Sequence, residues 1–529
     1  MNSTASPAAP SLWPFNLASA RQVLLLGGIC LLPVVLYLPF LNEPLLRDEG
    51  FYASVAQSIL DGGVPYRDAF DNKPPLIFGW YTLSFLMFGE ETWAPRLLVA
   101  GLLSITSLLI YVEGRLLFSH RIGLMASAVF GLSIGVAAFG TNANTEYFML
   151  FPMVGALVSF TAGHRTGNLG FTLLAGFLGG LAVMTKETSI FCLALLPLLI
   201  VAPAIKTHGL RAIRDKLTWR PLAALLVGAV AAGVAVVIPF VIAGSFGDFF
   251  QSVVLYAALY IGEGSFGDKV AALAGAPVYL MTVAGPLVLL SIAGAVYLHQ
   301  TNSSAAALLI GWAVASVAGI VVVGRFYAHY YVILLPAMAL LVPVGLTQLR
   351  KLRPSVLKTW LVFAVLPLSL LLPLLISGAI YLQPDDDARY LAKFRGVAAV
   401  EFHVDSRSLA AYLAERTEEG DFIYNLGFQS ELYFYANRPS PSRFLFDHPF
   451  AVNRDFELEA VADLEKNKPL YVIDSARYEP ATDTLDYYPI EIKRFVDQHY
   501  EYLGKLYYAD IYRLLGDEPN DLDSAAYER

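Results

Sequence analysis

Eleven long apolar runs constrain this sequence more than any other feature. Each run has roughly the 17 to 25 residues that a helix needs to cross about 30 Å of hydrocarbon. The runs lie near residues 22–41, 96–113, 122–140, 146–162, 169–184, 188–204, 219–243, 277–298, 305–324, 330–347 and 359–382. Only 15% of the 529 residues are charged, whereas about 25% is typical of a soluble domain. The sequence therefore predicts a polytopic α-helical membrane protein with about eleven transmembrane helices.

Basic residues predict the orientation of these spans, because Lys and Arg are retained on the cytoplasmic side during insertion. Most of the basic residues between spans fall in the segments 115–121, 164–168, 206–220 and 348–358. These segments share one side if residues 1–21 are cytoplasmic and residues 23–41 form a retained signal anchor. The predicted outward segments are then the loops 42–95, 141–145, 185–187, 244–276 and 325–329, together with everything after Gln383.

The composition changes at Gln383. Residues 383–529 contain 29 of the 44 acidic and 16 of the 36 basic residues, a net charge of −13, which leaves +5 for the membrane part. Residues 407–416 have the pattern of an amphipathic helix, and residues 421–426, 470–474 and 507–514 have the pattern of short strands. We therefore expect a transmembrane domain over 22–382 and an extracytoplasmic α/β domain over 383–529.

The first outward loop, residues 42–95, is the most charged stretch of the membrane part. Asp48 and Glu49 follow the first span directly, and Phe51, Val55 and Ile59 recur after them at helical spacing. This spacing predicts a helix that lies in the membrane interface. Asp48 is then either a functional carboxylate at the membrane boundary or the N-cap of this helix, since Asp is a favoured N-cap.

Lys73 is the second feature of this loop. Pro74 and Pro75 follow it, and two prolines fix φ, so the backbone after Lys73 is predicted to be extended and stiff. The apolar run 75–88 that comes next is too short to span and is predicted to re-enter the interface. The Lys73 amine either binds a substrate phosphate or reaches the phosphates of the lipid.

Other polar residues at the outward ends of spans favour a binding site, because ionisable groups at such depth usually have a function. They are Asn142, Glu146, Lys186, Glu187, Arg325, His329 and Tyr330.

Together these motifs resemble the GT-C membrane glycosyltransferases. The resemblance covers roughly residues 22–350 and is strongest to the bacterial branch related to protein O-mannosyltransferases and to the aminoarabinose transferase that modifies lipid A. It rests on Asp48-Glu49 after the first span, Lys73-Pro74-Pro75-Leu76, Asn142-x-Asn144-x-Glu146, Thr185-Lys186-Glu187, and His329-Tyr330-Tyr331 before Leu335-Pro336.

The resemblance implies an inverting glycosyltransferase of the bacterial cytoplasmic membrane. It would transfer a sugar from a polyprenyl phosphate to a hydroxyl group of a cell-envelope lipid, glycan or protein, on the outer face. Such a reaction needs a general base on the acceptor and cations on the departing phosphate. Asp48 is the expected base, Glu146 would share that role or position the acceptor, and Glu49 would orient Asp48 or Arg47.

The expected substrate-binding residues follow from the same argument. Lys73 and Arg325 are the expected phosphate-binding cations, because ammonium and guanidinium groups make strong charge-assisted bonds to phosphate. The complete set is Arg47, Tyr52, Lys73, Asn142, Lys186, Glu187, Arg325, His329 and Tyr330.

Two other classes stay open at this point. A transporter or flippase of lipid-linked sugars also contains charged groups among broken helices, but it keeps them near the midplane and contains a repeat. A non-catalytic scaffold leaves the charged loop unexplained.

No metal-type Cys/His spacing and no phosphate-binding loop is present in the sequence, so no cofactor is predicted. The acidic loop leaves open whether a divalent ion binds, and nucleic acid is not an expected partner.

Overall fold

The protein combines a helical membrane part with a smaller α/β part. The computed structural model describes residues 20–136, 141–209, 215–256, 259, 266–324, 326–351, 375, 377–395, 400–478 and 487–516. The helices of the membrane part are α1 Ala20–Cys30, α2 Leu32–Tyr37, α3 Arg47–Leu60, α4 Leu76–Phe88, α5 Ala94–Leu117, α6 His120–Ser133, α7 Thr145–Thr166, α8 Leu169–Thr185, α9 Ile190–His208, α10 Lys216–Ile242, α11 Phe246–Phe250, α12 Phe266–Thr301, α13 Ser303–Val323 and α14 Leu335–Lys351.

Eight helical stretches of the described chain are long and apolar enough to cross a membrane. They are Ala20–Phe40, Ala94–Leu117, Thr145–Thr166, Glu187–His208, Thr218–Ile242, Leu273–Thr301, Ser303–Val323 and Ala328–Gln348. Each coincides with one of the eleven predicted spans. Two more predicted spans form the shorter helices α6 and α8. The eleventh, 359–382, lies largely outside the described residues.

Small residues explain how closely the membrane helices approach one another. A Cβ atom added to Gly176 of α8 would lie 2.0 Å from the carbonyl oxygen of Leu225 in α10, and one added to Gly228 would lie 2.1 Å from that of Leu173. Backbones can approach this closely only where side chains are absent, as is common between membrane helices. The central helix α7 packs against both α5 and α8.

The first loop contains two short helices. Helix α3 packs against α4, and α4 packs in turn against α5. The short helix α4 matches the predicted run 75–88 and buries Ile77, Phe78 and Tyr81.

The C-terminal part is built around a four-stranded sheet. Its helices are α15 Asp386–Lys393, α16 Val400–Ala414, α17 Glu431–Ala436, α18 His448–Val452, α19 Arg454–Asn467 and α20 Ile490–His499, and its strands are β1 Ile423–Leu426, β2 Tyr471–Asp474, β3 Tyr500–Leu506 and β4 Ala509–Leu514. The strand order is β1-β2-β4-β3. Strands β1 and β2 are parallel, and β4 is antiparallel to both of its neighbours.

This α/β architecture confirms the prediction for the C-terminal part. Three strands and the helix near 407–416 were expected, although that helix begins earlier, at Val400. Strand β3 was not expected: it lies at the edge of the sheet, and most of its side chains are at least partly exposed. An edge strand that buries little surface lacks the apolar alternation by which strands are predicted.

The C-terminal part packs on the first loop. The aromatic rings of Phe51 and Phe446 lie 5.2 Å apart in an edge-to-face contact, and those of Phe85 and Phe434 are stacked at 5.5 Å. The loop is therefore enclosed between the membrane helices and the C-terminal part.

Candidate active site

A buried ion pair fixes the start of the first loop. Glu49 accepts hydrogen bonds from Arg96 Nε at 3.0 Å and Nη2 at 2.5 Å, from the Leu46 amide at 3.0 Å and from the Ala143 amide at 2.6 Å. Burial alone would raise the pKa of Glu49, but the charge and hydrogen bonds of Arg96 and the two amides lower it below its ordinary value. Glu49 was expected to orient Asp48 or Arg47. The structure pairs it with Arg96 instead.

The same arginine also binds the backbone of the loop. Arg96 is 1% exposed, and its guanidinium donates to the carbonyl oxygens of Phe40, Leu41, Glu43 and Pro44 at 2.7 to 3.2 Å. Arg96 can satisfy so many carbonyl groups because its five donors form a fixed planar fork. These bonds hold the backbone of residues 40–44, which precedes Asp48, against Arg96.

Asp48 differs from its neighbour. Helix α3 begins at Arg47 and its N-cap residue is Leu46, whose amide is satisfied by Glu49, so the helix-cap interpretation of Asp48 is wrong. The Asp48 side chain is half-buried, and no described residue forms a hydrogen bond or ion pair with its carboxylate. Its charge acts on Asp71 and on His329, so these groups lie near one another. Asp48 thus has a carboxylate available to a substrate.

The Asp71–Lys73 turn brings a second carboxylate to this region. Asp71 is 5% exposed and accepts from the Asn72 amide at 2.6 Å. Burial raises the pKa of Asp71 to about 6, although the positive charge of Lys73 opposes this rise. The backbone carbonyl of Lys73 accepts from the Tyr66 hydroxyl at 2.7 Å, so the turn has a defined position. Asp71 was not among the site residues predicted from the sequence.

Glu146 and Lys186 form a second buried ion pair, with 3.1 Å between Oε1 and Nζ. Glu146 lies at the start of α7, and Lys186 follows the end of α8. The Lys186 ammonium also lies 5.0 Å from the centre of the Tyr330 ring and 3.9 Å from Glu187. These three predicted residues around Lys186 are therefore brought together by the fold.

A small cavity of about 10 Å³, enough for roughly one water molecule, opens beside this pair. Glu146, Lys186 and Tyr330 supply its polar wall. The remaining wall is formed by Thr188, Gly319, Ile320, Val323 and Ile333. The cavity is thus charged at one end and predominantly apolar elsewhere.

His329 lies between the two charged regions. The charges of Asp48, Lys73, Glu146 and Lys186 all act on its ring, so these four groups lie near it. The ring stacks on Tyr327 at 5.8 Å and meets Tyr330 edge-to-face at 4.8 Å.

The remaining predicted site residues are Arg47, Tyr52, Asn142 and Arg325. Arg47 is exposed and its guanidinium lies 4.8 Å from the Phe428 ring of the C-terminal part. Tyr52 is 1% exposed and packs on the Tyr81 ring at 5.5 Å. Asn142 is buried, and its Nδ2 has no hydrogen-bond partner in the described part of the chain. Arg325 lies outside the described residues.

A metal ion is not indicated by the geometry of the described residues. Among them, no group of three or more His, Cys, Asp or Glu is arranged to hold one.

Comparisons with known proteins agree with this architecture. The family model described as dolichyl-phosphate-mannose-protein mannosyltransferase matches residues 72–242. ArnT from Cupriavidus metallidurans, solved bound to undecaprenyl phosphate, is 16% identical, with 95% of this chain and 100% of that chain covered and a TM-score of 0.57. The oligosaccharyltransferase AglB from Archaeoglobus fulgidus, solved with an inhibitory peptide and a dolichol-phosphate, is 13% identical, with 86% and 69% covered and a TM-score of 0.54. A comparison with curated protein sequences gave no match.

The chain therefore has the GT-C fold of membrane glycosyltransferases, and the expected resemblance is confirmed at the level of the fold. Because both solved neighbours are below 25% identity, the activity of this chain is a separate question. The residues around the cavity bear on it.

Proposed function

We propose that the protein is an inverting glycosyltransferase that moves a sugar from a polyprenyl phosphate to a hydroxyl group of a cell-envelope lipid, glycan or protein. The cavity beside Glu146 and Lys186 is the observation that supports this most strongly. A buried cation beside apolar side chains suits a phosphate head whose hydrocarbon chain would run along the membrane helices. The solved neighbour ArnT binds undecaprenyl phosphate and AglB binds a dolichol-phosphate, which are ligands of this type.

Asp48 is the proposed general base. Its carboxylate is half-exposed and has no described partner, as a group that must accept a proton requires. It would take the proton of the acceptor hydroxyl while the hydroxyl oxygen bonds to the anomeric carbon on the face opposite the phosphate. The glycosidic bond to the phosphate then breaks, and the phosphate oxygen takes the electron pair.

Cations would stabilise the departing phosphate, because its negative charge grows in the transition state. Lys186 and Lys73 are the described candidates, and Arg325 remains a proposed third cation. Glu146 would position the acceptor or share the role of base, while His329 and Tyr330 would contact the substrate. The site is proposed to open on the outer face of the bacterial cytoplasmic membrane, with residues 383–529 on that face.

A flippase of lipid-linked sugars is the alternative, and it predicts a different result in transfer and flipping assays. Detergent-solubilised protein, given an undecaprenyl-phosphate sugar and an envelope acceptor extract, should release undecaprenyl phosphate and form a glycosylated product. Liposomes that contain the protein should not move the donor between leaflets. Movement without release from any such donor would overturn the glycosyltransferase proposal and favour the flippase.

A further inference from the structure

Helix α3, which contains Asp48, lies directly against helix α17 of the C-terminal part. The closest approach is at Gly50, two residues after Asp48. A Cβ atom on Gly50 would lie 2.4 Å from Cβ of Glu431 and 2.9 Å from its Cα and N atoms. These distances leave no room for any side chain, because the nearest atoms belong to the backbone or are bonded to it. Only glycine allows α3 to occupy this position.

Hydrogen bonds continue this contact along α3. The Ser54 hydroxyl donates to the Ser430 carbonyl at 2.9 Å, and Gln57 Nε2 donates to Asn437 Oδ1 at 2.8 Å. Ser430 and Asn437 flank α17 at its two ends. The two helices are therefore aligned at three successive points.

Helix α17 is itself fixed by a buried polar network. Glu431 is fully buried, and its Oε1 lies 2.7 Å from His403 Nδ1 and accepts from the Ser406 hydroxyl at 2.9 Å. Ser406 also lies 2.8 Å from the Tyr508 hydroxyl, next to strand β4. These bonds hold Glu431 Oε1, whereas Oε2 is buried and has no hydrogen-bond partner among the described residues.

A second connection reaches the loop before Asp48. Lys393 of α15 forms an ion pair with Glu43, and the side chains of both residues are at most 1% exposed. The carbonyl of Glu43 accepts from Arg96, whose guanidinium binds Glu49 next to Asp48. Lys393 is thus linked to Glu49, the neighbour of Asp48, through Glu43 and Arg96.

We propose that the C-terminal part positions the Asp48 carboxylate, with Gly50, Glu431 and Lys393 as positioning residues. This proposal rests on the proposed function in one respect, because it assigns Asp48 a role in turnover. Displacement of α3 should then slow the chemical step and leave the phosphate contact of Lys186 unchanged, since Lys186 follows α8 and its partner Glu146 lies in α7. A misplacement of about 1 Å in a reacting group costs roughly 100-fold in rate.

Gly50→Ala tests the first contact. The added methyl group should move α3 away from α17 and lower kcat by roughly 100-fold, whereas the affinity for undecaprenyl phosphate should stay at the wild-type value. Thermal stability must be measured beside kcat. If Gly50→Ala folds with normal kcat, or if it loses affinity and kcat in equal proportion, the positioning role is wrong.

Lys393 allows a test by rescue, which also serves if Gly50→Ala does not fold. Lys393→Met leaves Glu43 buried without its cation and should lower kcat, by up to the roughly 100-fold that a misplacement of about 1 Å costs. Combining it with Glu43→Gln removes both charges and should restore most of kcat. Lys493→Met is the matched control, because Lys493 forms a more exposed ion pair with Asp497 on α20. Equal losses in Lys393→Met and Lys493→Met, or no rescue, would overturn the proposal.

Hydrogen exchange separates this proposal from the proposed function. Wild-type residues 47–60 should exchange slowly, and Lys393→Met should speed their exchange while the double variant slows it again. If the wild-type protein transfers no sugar, the proposed function fails whatever the exchange result. If it transfers sugar and exchange of α3 is unaffected by Lys393→Met, only the positioning proposal fails.

Discussion

Two buried ion pairs in this protein contrast in how completely they are hydrogen-bonded. Glu49 and Arg96 lie among carbonyl and amide groups that satisfy both side chains. Among the described residues, Glu146 and Lys186 have fewer hydrogen bonds, and they lie beside a cavity of about 10 Å³. A fully bonded pair has no capacity left for a ligand, whereas a sparsely bonded pair at a cavity can exchange partners. We therefore propose a structural role for the Glu49–Arg96 pair and a binding role for the Glu146–Lys186 pair.

Removing Arg96 should have the largest effect on folding. Arg96→Met would leave Glu49 charged and buried and would leave several carbonyl groups unpaired. A loss of roughly 3 to 5 kcal/mol in the free energy of unfolding is expected for breaking such a pair. Thermal unfolding of purified protein measures it. A variant as stable as the wild type would show that this pair is not structural.

Removing Lys186 should act mainly on turnover. Lys186→Met removes one charge-assisted bond to the donor phosphate, of roughly 1.5 to 3 kcal/mol, which corresponds to about one to two factors of ten in kcat/KM. The loss of thermal stability should be smaller than for Arg96→Met, because Arg96 also donates to four carbonyl groups of the loop. A larger loss of stability in Lys186→Met than in Arg96→Met would contradict the structural role proposed for the Glu49–Arg96 pair.

Asp71 allows a test of whether burial of its carboxylate destabilises the folded protein. Its pKa in the folded protein, about 6, is above the ordinary value of 3.8, so the folded state binds this proton more tightly. The contribution of Asp71 to stability should therefore be greatest below about pH 4 and fall as pH rises to about 6, by at most roughly 3 kcal/mol. Asp71→Asn should flatten that slope in a pH series of thermal unfolding curves. An unchanged slope would mean that Asp71 does not cause it.

Glu187 should matter least. Its side chain is 47% exposed and lies 3.9 Å from Lys186, so solvent screens the interaction. Glu187→Gln should change stability by less than about 1 kcal/mol. Transfer assays should detect little change in kcat, and a large loss would place Glu187 in contact with substrate, as the sequence motif suggested.

The length of the apolar runs predicted most of the fold, because a helix must satisfy its own backbone bonds in lipid. The pairing of Glu49 with Arg96 was not predictable in this way. Arg96 lies 47 residues away at the start of another helix, and no local pattern links the two. The burial of Asp71 was missed for a similar reason, since it depends on contacts with distant residues. Its place two residues before Lys73 was the one available signal.

Asp48 and Glu49 show that local sequence also fails to predict the contacts of two adjacent residues. The sequence left open whether Asp48 caps α3, because Asp is common at both caps and active sites. The backbone geometry decides the question, since the helix begins one residue before Asp48. Which of two adjacent carboxylates is bonded and which is available depends on tertiary contacts alone.

The central claim is that Asp48 is the base, and Asp48→Asn tests it most directly. The amide keeps the shape of the carboxylate and loses the proton acceptor. Transfer from an undecaprenyl-phosphate sugar should fall by roughly 100- to 10,000-fold, while thermal stability and undecaprenyl phosphate affinity stay near the wild-type values. Near-normal transfer by the folded Asp48→Asn protein would contradict the account.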